Sequence, residues 1–404
     1  METRRLDELC VQITDCPHST PQWLSSGKLV LRNFNIHNGR IDLSNVSYTD
    51  DETFFARNKR ATPIPGDIVM SREAPMGEVA IIPNGFECCL GQRMVLLHPD
   101  ATVCNGKFLM YSLLSPFVQK QIKRSDTTGS VVSNLCIPDL CALEIPYVNI
   151  ERQECIVALL SDIDAKIDNN NAIAAELEGM AKDLYDYWFV QFDFPDENGK
   201  PYKSSGGKMV WNEELKREIP EGWEATNIGA ITICHDSERI PVSGEKRKMM
   251  IGSIPYYGAT EIMGHVNRAI FNGDYVLLAE DGSVMDDSGH PIIQRISGPS
   301  WVNNHAHVLE PEKTYSCRLL MMILKDIPVV QIKTGSIQWK INQENLNQYK
   351  IANIPSALRA LAVSKLEPID SMLLDLKKEN EELTSLRDFL LPMLMNGQVK
   401  VKGA

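Results

Sequence analysis

The sequence predicts a mixed α+β fold in which two similar globular modules are separated by two long antiparallel coiled-coil helices, related by a pseudo-twofold internal repeat. The repeat itself is the first observation. Thr128-Gly129-Ser130 returns as Thr334-Gly335-Ser336, Ile163-Asp164 as Ile369-Asp370, Glu176-Leu177 as Glu382-Leu383 and Leu184 as Leu390, all about 206 residues later. Gly66-Asp67 and Ile145-Pro146 recur slightly out of frame as Gly273-Asp274 and Ile354-Pro355. The second observation is a heptad seam at equivalent places in both halves, and the third is a mixture of short β-like runs and turns in what remains. A duplicated chain tends to form two units about a pseudo-twofold axis, which suits a two-part target such as duplex DNA.

The elements follow in chain order. Residues 1–150 form the first module, with β-like runs at Gly66–Met70, Glu78–Ile82 and Arg93–Leu97 and a helical stretch at Lys107–Lys123. Residues 151–190 form the first long helix. Ile156, Ile163, Asn170, Leu177 and Leu184 recur every seven residues, interleaved with Leu160, Ile167, Ala174, Ala181 and Trp188. Residues 191–223, rich in Gly, Lys, Ser and Pro, read as a linker that Pro195, Pro201 and Pro220 keep out of helix. Residues 224–356 form the second module, with β-like runs at Tyr275–Ala279 and His305–Leu309 and a helical stretch at Tyr315–Lys325. Residues 357–404 hold the second long helix, with Ala362, Ile369, Leu376, Leu383 and Leu390 interleaved with Leu366, Leu373, Asn380, Arg387 and Leu394. Pro368 is expected to kink this helix or to mark its first full turn. At about 1.5 Å per residue such helices run roughly 50 Å, the length of a spacer. A twofold axis through an antiparallel pair sets residue 172 against 378, hence Asn170 against Asn380, Ile156 against Leu394 and Leu184 against Leu366. A buried Asn pair would fix the register; the alternative is that both face solvent.

Composition bounds the function. At 404 residues, with 43% hydrophobic and 23% charged side chains, the chain is ordinary globular material with room for two domains. Ten cysteines without a C-x-x-C pair suggest a reducing cytoplasm rather than a disulfide or zinc framework. No signal peptide and no run of about 18 apolar residues is found, so a soluble cytoplasmic protein without membrane contact is expected. The net charge of −12 is uneven. Residues 1–150 carry 14 basic and 16 acidic side chains, residues 224–357 carry 12 and 14, and residues 151–190 alone carry 3 and 9. Each module is therefore near neutral, and weak intrinsic affinity for DNA, helped by a partner, is the expectation.

No catalytic motif is found in the sequence. A glycine-rich cofactor loop and the (N/D)-P-P-aromatic tetrapeptide of amino methyltransferases are missing. The one Gly-Gly-Lys, at 206–208, has Tyr202 and Met209 where a nucleotide loop needs Gly and a hydroxyl. Pro138-Asp139 is followed by Glu144-Ile145-Pro146, without the lysine of a metal-dependent nuclease. His305-x-His307 reads as a structural pair, as a base or phosphate contact, or as a metal pair that lacks a third ligand. Tyr256-Tyr257-Gly258-Ala259-Thr260 fits either packing and a turn or a DNA-facing loop. The repeated Thr-Gly-Ser tripeptides follow Lys123-Arg124 and Lys333, and small hydroxyls with exposed amides beside basic groups suit phosphate.

The central region narrows the reading. Leu184-Tyr185-Asp186-Tyr187-Trp188-Phe189-Val190-Gln191-Phe192-Asp193-Phe194-Pro195, then Asn198-Gly199-Lys200-Pro201-Tyr202 through Met209-Val210, then Ile219-Pro220-Glu221-Gly222-Trp223, resembles the centre of type I restriction-modification specificity subunits. Ile254–Thr260, Ala279–Ser283 and Trp301–Leu309 resemble one type of target-recognition domain in that family, and Leu391–Val399 resembles its C-terminal helix end. Asp15-Cys16-Pro17-His18-Ser19-Thr20-Pro21 is similar to the family's D-G-x-H-x-x-P opening, with Cys16 in place of Gly.

The resemblance implies a non-catalytic DNA-recognition subunit with two unlike target-recognition domains reading an asymmetric bipartite sequence. It also implies two modification subunits that bind S-adenosylmethionine and methylate adenine, and two restriction subunits that use ATP and Mg2+; no cofactor is expected on this chain. The acidic first helix and the Trp188-Phe189 end are candidate docking surfaces, or else plain solvated charge and core aromatics. Base-reading candidates are His18, Thr20, Arg32, Asn33, Arg72, Gln92 and Arg93 in the first module, and Tyr256, Tyr257, Thr260, Asn303, Asn304 and His305 in the second. Lys123, Arg124, Lys333 and Lys340, with Thr128, Ser130, Thr334 and Ser336, are phosphate candidates. The rival reading is a coiled-coil adaptor that joins proteins and never touches DNA; a third is an enzyme with an unrecognised site.

Overall fold

In the computed structural model, which describes residues 2–125, 134–335 and 339–401, the chain forms two compact units. The first is Met1–Asn169 with Asn380–Ala404, and the second is Asn170–Glu379. The unit boundaries fall inside the two long helices, Ile150–Tyr185 and Ser356–Met395, so each unit owns part of both. Residues 186–190 continue the first helix as a π-turn. Pro368 lies inside the second helix, which carries on through it.

In the first unit a four-stranded antiparallel sheet runs in the order Cys10–Asp15, Met94–Pro99, Ile68–Ser71, Val79–Ile81. Ile68, Val69, Met70 and Ser71 are all buried, as expected of a strand covered on both faces. A smaller sheet pairs Lys28–Leu31 antiparallel to Ser47–Thr49 and parallel to Cys89–Leu90. Thr3–Arg5 pairs with Glu144–Pro146, closing the module just before the long helix. The helix Gly106–Leu114 starts on Asn105, whose side chain accepts from the amides of Lys107 and Phe108. Its buried face joins Leu6, Leu9, Val95 and Leu97 in a core that also takes Ile156 and Leu160 from the first long helix and Leu391, Leu394 and Met395 from the second.

The second unit repeats this plan with one fusion. Its six-stranded sheet has the order Thr232–Cys234, Ala306–Pro311, Phe271–Ala279, Ile293–Val302, Ile254–Tyr257, Ile262–Val266. The strand Ile293–Val302 is long enough to pair antiparallel with Phe271–Ala279 and then parallel with Ile254–Tyr257. It thereby does alone what Val79–Ile81 and Cys89–Leu90 do separately in the first unit. Ala225–Asn227 pairs with Lys350–Ala352, as Thr3–Arg5 does with Glu144–Pro146. Ser316 caps Cys317–Lys325 at the place where Asn105 caps Gly106–Leu114. The core gathers Val276, Leu278, Leu319 and Leu320 with Ala181, Tyr185 and Trp188 from the first long helix and Ala362 and Leu366 from the second.

The repeat is thus a repeat of topology whose frame drifts. The offset is 206 between Glu144–Pro146 and Lys350–Ala352, and 212 between Met94–Pro99 and Ala306–Pro311. It reaches 222 between Thr3–Arg5 and Ala225–Asn227, because loop lengths differ. Ile145-Pro146 and Ile354-Pro355 are consequently not equivalents. The first pair lies in the closing strand, and the second follows the corresponding strand and abuts the helix.

Two further expectations change. Residues 191–223 are not a bare linker: Met209–Asn212 and Arg217–Pro220 form an antiparallel hairpin, and Phe192, Phe194 and Ile219 are core residues of the second unit. Phe194 stacks on Tyr202 at 4.8 Å and on Trp223 at 5.3 Å, aromatic contacts that hold a proline-rich stretch in place without helix. Trp188 and Phe189 are likewise buried in that core, which makes them packing aromatics rather than a surface.

In the first helix Ile156, Leu160, Ile163, Ile167, Asn170, Leu177, Ala181 and Trp188 are buried as the heptads require, whereas Ala174 and Leu184 are half-buried and Tyr185 occupies the core beside Leu184. In the second, Ala362, Leu366, Leu373 and Leu394 are buried, and Ile369, Leu376, Leu383 and Leu390 are half-buried. Asn170 is fully buried, so it does not face solvent, and its amide donates to Glu379 at 2.7 Å, one position from the residue expected opposite it. Asn380 is half-buried.

Candidate nucleic-acid interface

Most polar candidates of the first module gather where the strand Met94–Pro99 begins. Asp15 ends the strand Cys10–Asp15 and takes the Arg72 guanidinium at 2.6 Å and the His18 ring at 3.2 Å. Gln92 donates to the His18 carbonyl and to Thr20 Oγ1. Glu73 pairs with Arg93 at 3.0 Å, and its carbonyl and that of Ala74 accept from Asn33. His18, Thr20 and Arg93 are exposed at this edge, while Gln92, Asn33 and Arg32 are half-buried. Arg32 is held between the rings of Trp23 and Phe34, at 4.9 and 4.5 Å, and so presents a guanidinium in a fixed plane.

Arg72 does not belong with the readers. It is buried and spends its donors on Asp15, Asn134 and the Leu135 carbonyl, so it braces the module from within. Cys16, which stands where the resembled motif has Gly, is buried, and its backbone amide donates to Met94. It is not among the positive-φ residues, so a β-carbon is tolerated there.

In the second module Gly258-Ala259-Thr260 follows the parallel strand as Arg32-Asn33-Phe34 does in the first, and Asn303-Asn304-His305 takes the place of Gly91-Gln92-Arg93. Thr260, Asn304 and His305 are exposed. Gln294 supports the turn by donating to the Gly258 and Ala259 carbonyls at 3.1 and 3.0 Å. Asn303 is buried and fixes the loop, its side chain accepting from the His305 amide. Tyr256 and Tyr257 are also buried, Tyr256 stacked near Trp301. Consecutive residues point to opposite faces of the strand and each face is covered by its own apolar cluster, so of the sequence's two readings of this segment the tyrosines follow packing.

The histidine pair separates. His305 meets Asp281 at 2.6 Å on the surface, whereas His307 is buried, with Nδ1 against Asp236 at 2.5 Å and Nε2 against the Ile341 carbonyl at 2.8 Å. Cys234, Asp236 and His307 bring three ligand atoms within 4.8 Å of one another. That set does not suit a cation. Arg239 pairs with both Asp236 and Glu280, and Lys340 with Glu280 at 2.9 Å, so the carboxylates already carry positive partners. Burial pushes the Cys234 thiol up to about 12, well away from a thiolate ligand. Burial alone would raise Asp236 and Glu280 as well; hydrogen bonds from His307 and Lys340 respectively outweigh it and hold both carboxyls below their ordinary range.

The phosphate candidates disperse. Lys123 and Arg124 are exposed in the last turn of the helix Pro116–Ser125. Lys333 lies over the Trp339 ring at 3.4 Å, and the Thr334 hydroxyl donates to the Lys340 carbonyl. Thr128, Ser130 and Ser336 lie outside the described residues. Sequence reasoning passed over Lys246-Arg247-Lys248, the single run of three consecutive basic residues in the chain, which a charge scan would have found. Among the described residues no helix is long and apolar enough to cross a membrane.

Two like-built modules with unlike polar edges set a class of protein, and the comparisons give its family. The family described as Type I restriction modification DNA specificity domain matches residues 1–179 and 220–384, and the chain belongs to it. It is 27% identical over 359 residues to the type I restriction enzyme MjaIX specificity subunit of Methanocaldococcus jannaschii, covering 83% of this chain and 78% of that one. To the putative type I restriction enzyme MjaX specificity subunit of the same organism it is 24% identical, covering 93% and 88%. Its fold resembles the crystal structure of a type I restriction-modification system S subunit from M. genitalium, with a TM-score of 0.56 at 20% identity over 97% of this chain and 95% of that one.

Proposed function

We propose that this specificity subunit recognises an asymmetric, two-part DNA sequence, each module reading one half. One observation carries the reading: the modules share topology yet carry different side chains at the equivalent edge. Arg32, Asn33, Phe34, Gln92 and Arg93 stand in the first where Gly258, Ala259, Thr260, Asn304 and His305 stand in the second. The major groove distinguishes all four base pairs by donor and acceptor pattern, so unlike polar sets select unlike half-sites. The chain supplies sequence choice, and the chemistry belongs to two modification and two restriction subunits that carry S-adenosylmethionine, ATP and Mg2+ in the cytoplasm. The test exchanges residues 224–356 for the corresponding module of another family member and maps methylated adenines in host DNA. One half of the methylated sequence changes and the other stays. A change in both halves, or in neither, refutes the reading; assembly with the partners without any DNA footprint favours the coiled-coil adaptor.

A further inference from the structure

The connection that enters the parallel strand is built alike in the two modules, and it exposes apolar surface in both. Before Lys28–Leu31 it presents Trp23 and Leu24, 42% and 41% exposed. Before Ile254–Tyr257 it presents Met249 and Ile251, 77% and 84% exposed, the highest values among the described large apolar residues. Each connection is pressed onto the antiparallel neighbour of that strand by a glycine. A β-carbon on Gly27 would strike the Thr49 carbonyl, and one on Gly252 would strike Asn267 and the Val266 carbonyl. The exposed pairs are therefore held out on fixed backbone.

In the second module the mount is a small core of its own. Met250, between the two exposed residues, packs with Val242, Ile254 and Ile270 against Tyr256, Val266 and Trp301. Trp301 Nε1 donates to the Ile240 carbonyl at 2.8 Å. Arg247 and Arg268 lie over the Tyr256 and Trp301 rings at 5.0 and 5.2 Å. Ser243 caps the short helix Gly244–Met249, and Lys246 and Lys248 stand exposed on it. Among the described residues, Lys246, Arg247, Lys248 and Arg268 have no ion-pair partner. Residues 239–268 hold five basic and two acidic side chains in a chain whose net charge is −12.

We propose that Lys246–Ile251 lies along the sugar–phosphate wall of duplex DNA, with Lys246 and Lys248 on phosphates and Met249 and Ile251 against the deoxyribose rings. The inference rests on the DNA-reading function and adds to it a separate element that contributes affinity without sequence choice. Unpaired lysines favour DNA over a protein surface, since lysine is depleted at protein interfaces and each phosphate neutralised releases a counterion. Every nucleotide presents the same deoxyribose, so apolar contact of Met249 and Ile251 with the sugars adds affinity without sequence choice.

The experiment measures binding of the assembled complex to target and non-target duplexes by anisotropy across a salt series, for the wild type, K246Q/K248Q and M249S/I251S. The lysine variant weakens both duplexes by the same factor and lowers the slope of log K against log salt by about 1.8, at about 0.9 per phosphate. The apolar variant weakens both duplexes with the slope unchanged. Tryptophan fluorescence and assembly with the partner subunits match the wild type in each. Wild-type affinity in both variants, or a changed ratio between target and non-target, overturns the proposal. Lost assembly with intact DNA binding also overturns it and gives the surface to a protein partner. A wild-type complex that binds no DNA refutes the DNA-reading function itself, a result distinguishable from these.

Discussion

Asp164 and Asp370 are counterparts in the repeat, and each fastens its own module to the long helix that carries it. Asp164 accepts from the Tyr111 hydroxyl at 2.5 Å and pairs with Arg387 at 3.0 Å, with Arg40 beside it at 3.8 Å. Asp370 accepts from Arg295 and Arg318, both at 3.0 Å. The partners differ, yet each carboxylate receives a donor from the module's own helix, Gly106–Leu114 or Cys317–Lys325. The Ile-Asp dipeptide that first marked the repeat is thus conserved between the halves as a clasp, which explains why it survives where the surrounding residues have diverged.

The two clasps differ in burial, and that sets their worth. Arg318, Arg295 and Asp370 side chains are 3%, 11% and 10% exposed, while Arg40 is 41% exposed beside Asp164. Removing the Asp370 charge leaves the buried Arg318 guanidinium without a counter-charge and Arg295 with Asp274 alone, at a cost of about 3–5 kcal/mol. Asp164→Asn costs about 1–2 kcal/mol, because Arg40 keeps Asp168 and Arg387 keeps Asp388 as carboxylate partners. Five of the six tryptophans, at 188, 211, 223, 301 and 339, belong to the second unit and report its unfolding. Urea titration followed by tryptophan fluorescence for Asp370→Asn, and amide exchange in the first unit for Asp164→Asn, give this ranking. Equal losses would contradict it.

Acid should weaken the second unit through the Asp236–Glu280 cluster. Both carboxyls sit below their ordinary values of 3.8 and 4.5, because hydrogen bonds and cations outweigh burial. A depressed carboxyl contributes stability above its unfolded pKa and loses it as pH falls through the folded one. The urea midpoint therefore holds down to about pH 4.5 and then declines, and Asp236→Asn flattens the decline while lowering the plateau near neutrality. An unchanged slope in the variant would exclude Asp236 as a source of the acid sensitivity.

The architecture was legible because its signals are periodic. Seven-residue spacing placed both long helices, and Asn170 stood out as the polar interruption that the structure buries. The register came within one residue, at Glu379. The edge of the modules was less legible. Tyr256, Tyr257, Asn303 and Arg72 are residue types that suit a groove, and only the apolar clusters covering both faces of the strand, the loop bond of Asn303 and the Asp15 partner of Arg72 turn them inward. Lys246-Arg247-Lys248 was visible as charge, but its rigid mount depends on Gly252 and Trp301, which are distant in sequence. Residues 191–223 read as linker because prolines forbid helix, while the aromatic stack that orders them leaves no local pattern.

Base selection should divide by module and by exposure. Asn304→Ala removes a polar group from the exposed edge of the second module and reduces discrimination at the half-site that module reads by about 1–3 kcal/mol, or roughly 5- to 150-fold. Discrimination at the other half-site is unchanged. Tyr256→Phe leaves both half-sites intact, since the ring is buried. Competition binding against duplexes mutated in one half at a time measures this. Altered recognition by Tyr256→Phe, or an Asn304→Ala effect on both halves, would contradict the assignment.

Gly252 tests whether geometry or charge holds the basic segment to its task. Gly252→Ala adds a β-carbon that overlaps Asn267 and the Val266 carbonyl, so the backbone carrying Met249 and Ile251 must lift away from the strand Ile262–Val266. No charge is altered. The expected result is weaker binding to every duplex, a faster amide exchange confined to residues 244–254, and an unchanged urea midpoint for the main core of the unit. Gly222→Ala serves as the comparison: its φ of +83° strains the substitution, yet nothing lies within 4 Å of the added carbon, so it leaves DNA affinity intact. Equal affinities for Gly252→Ala and the wild type would show that the charges act without the mount.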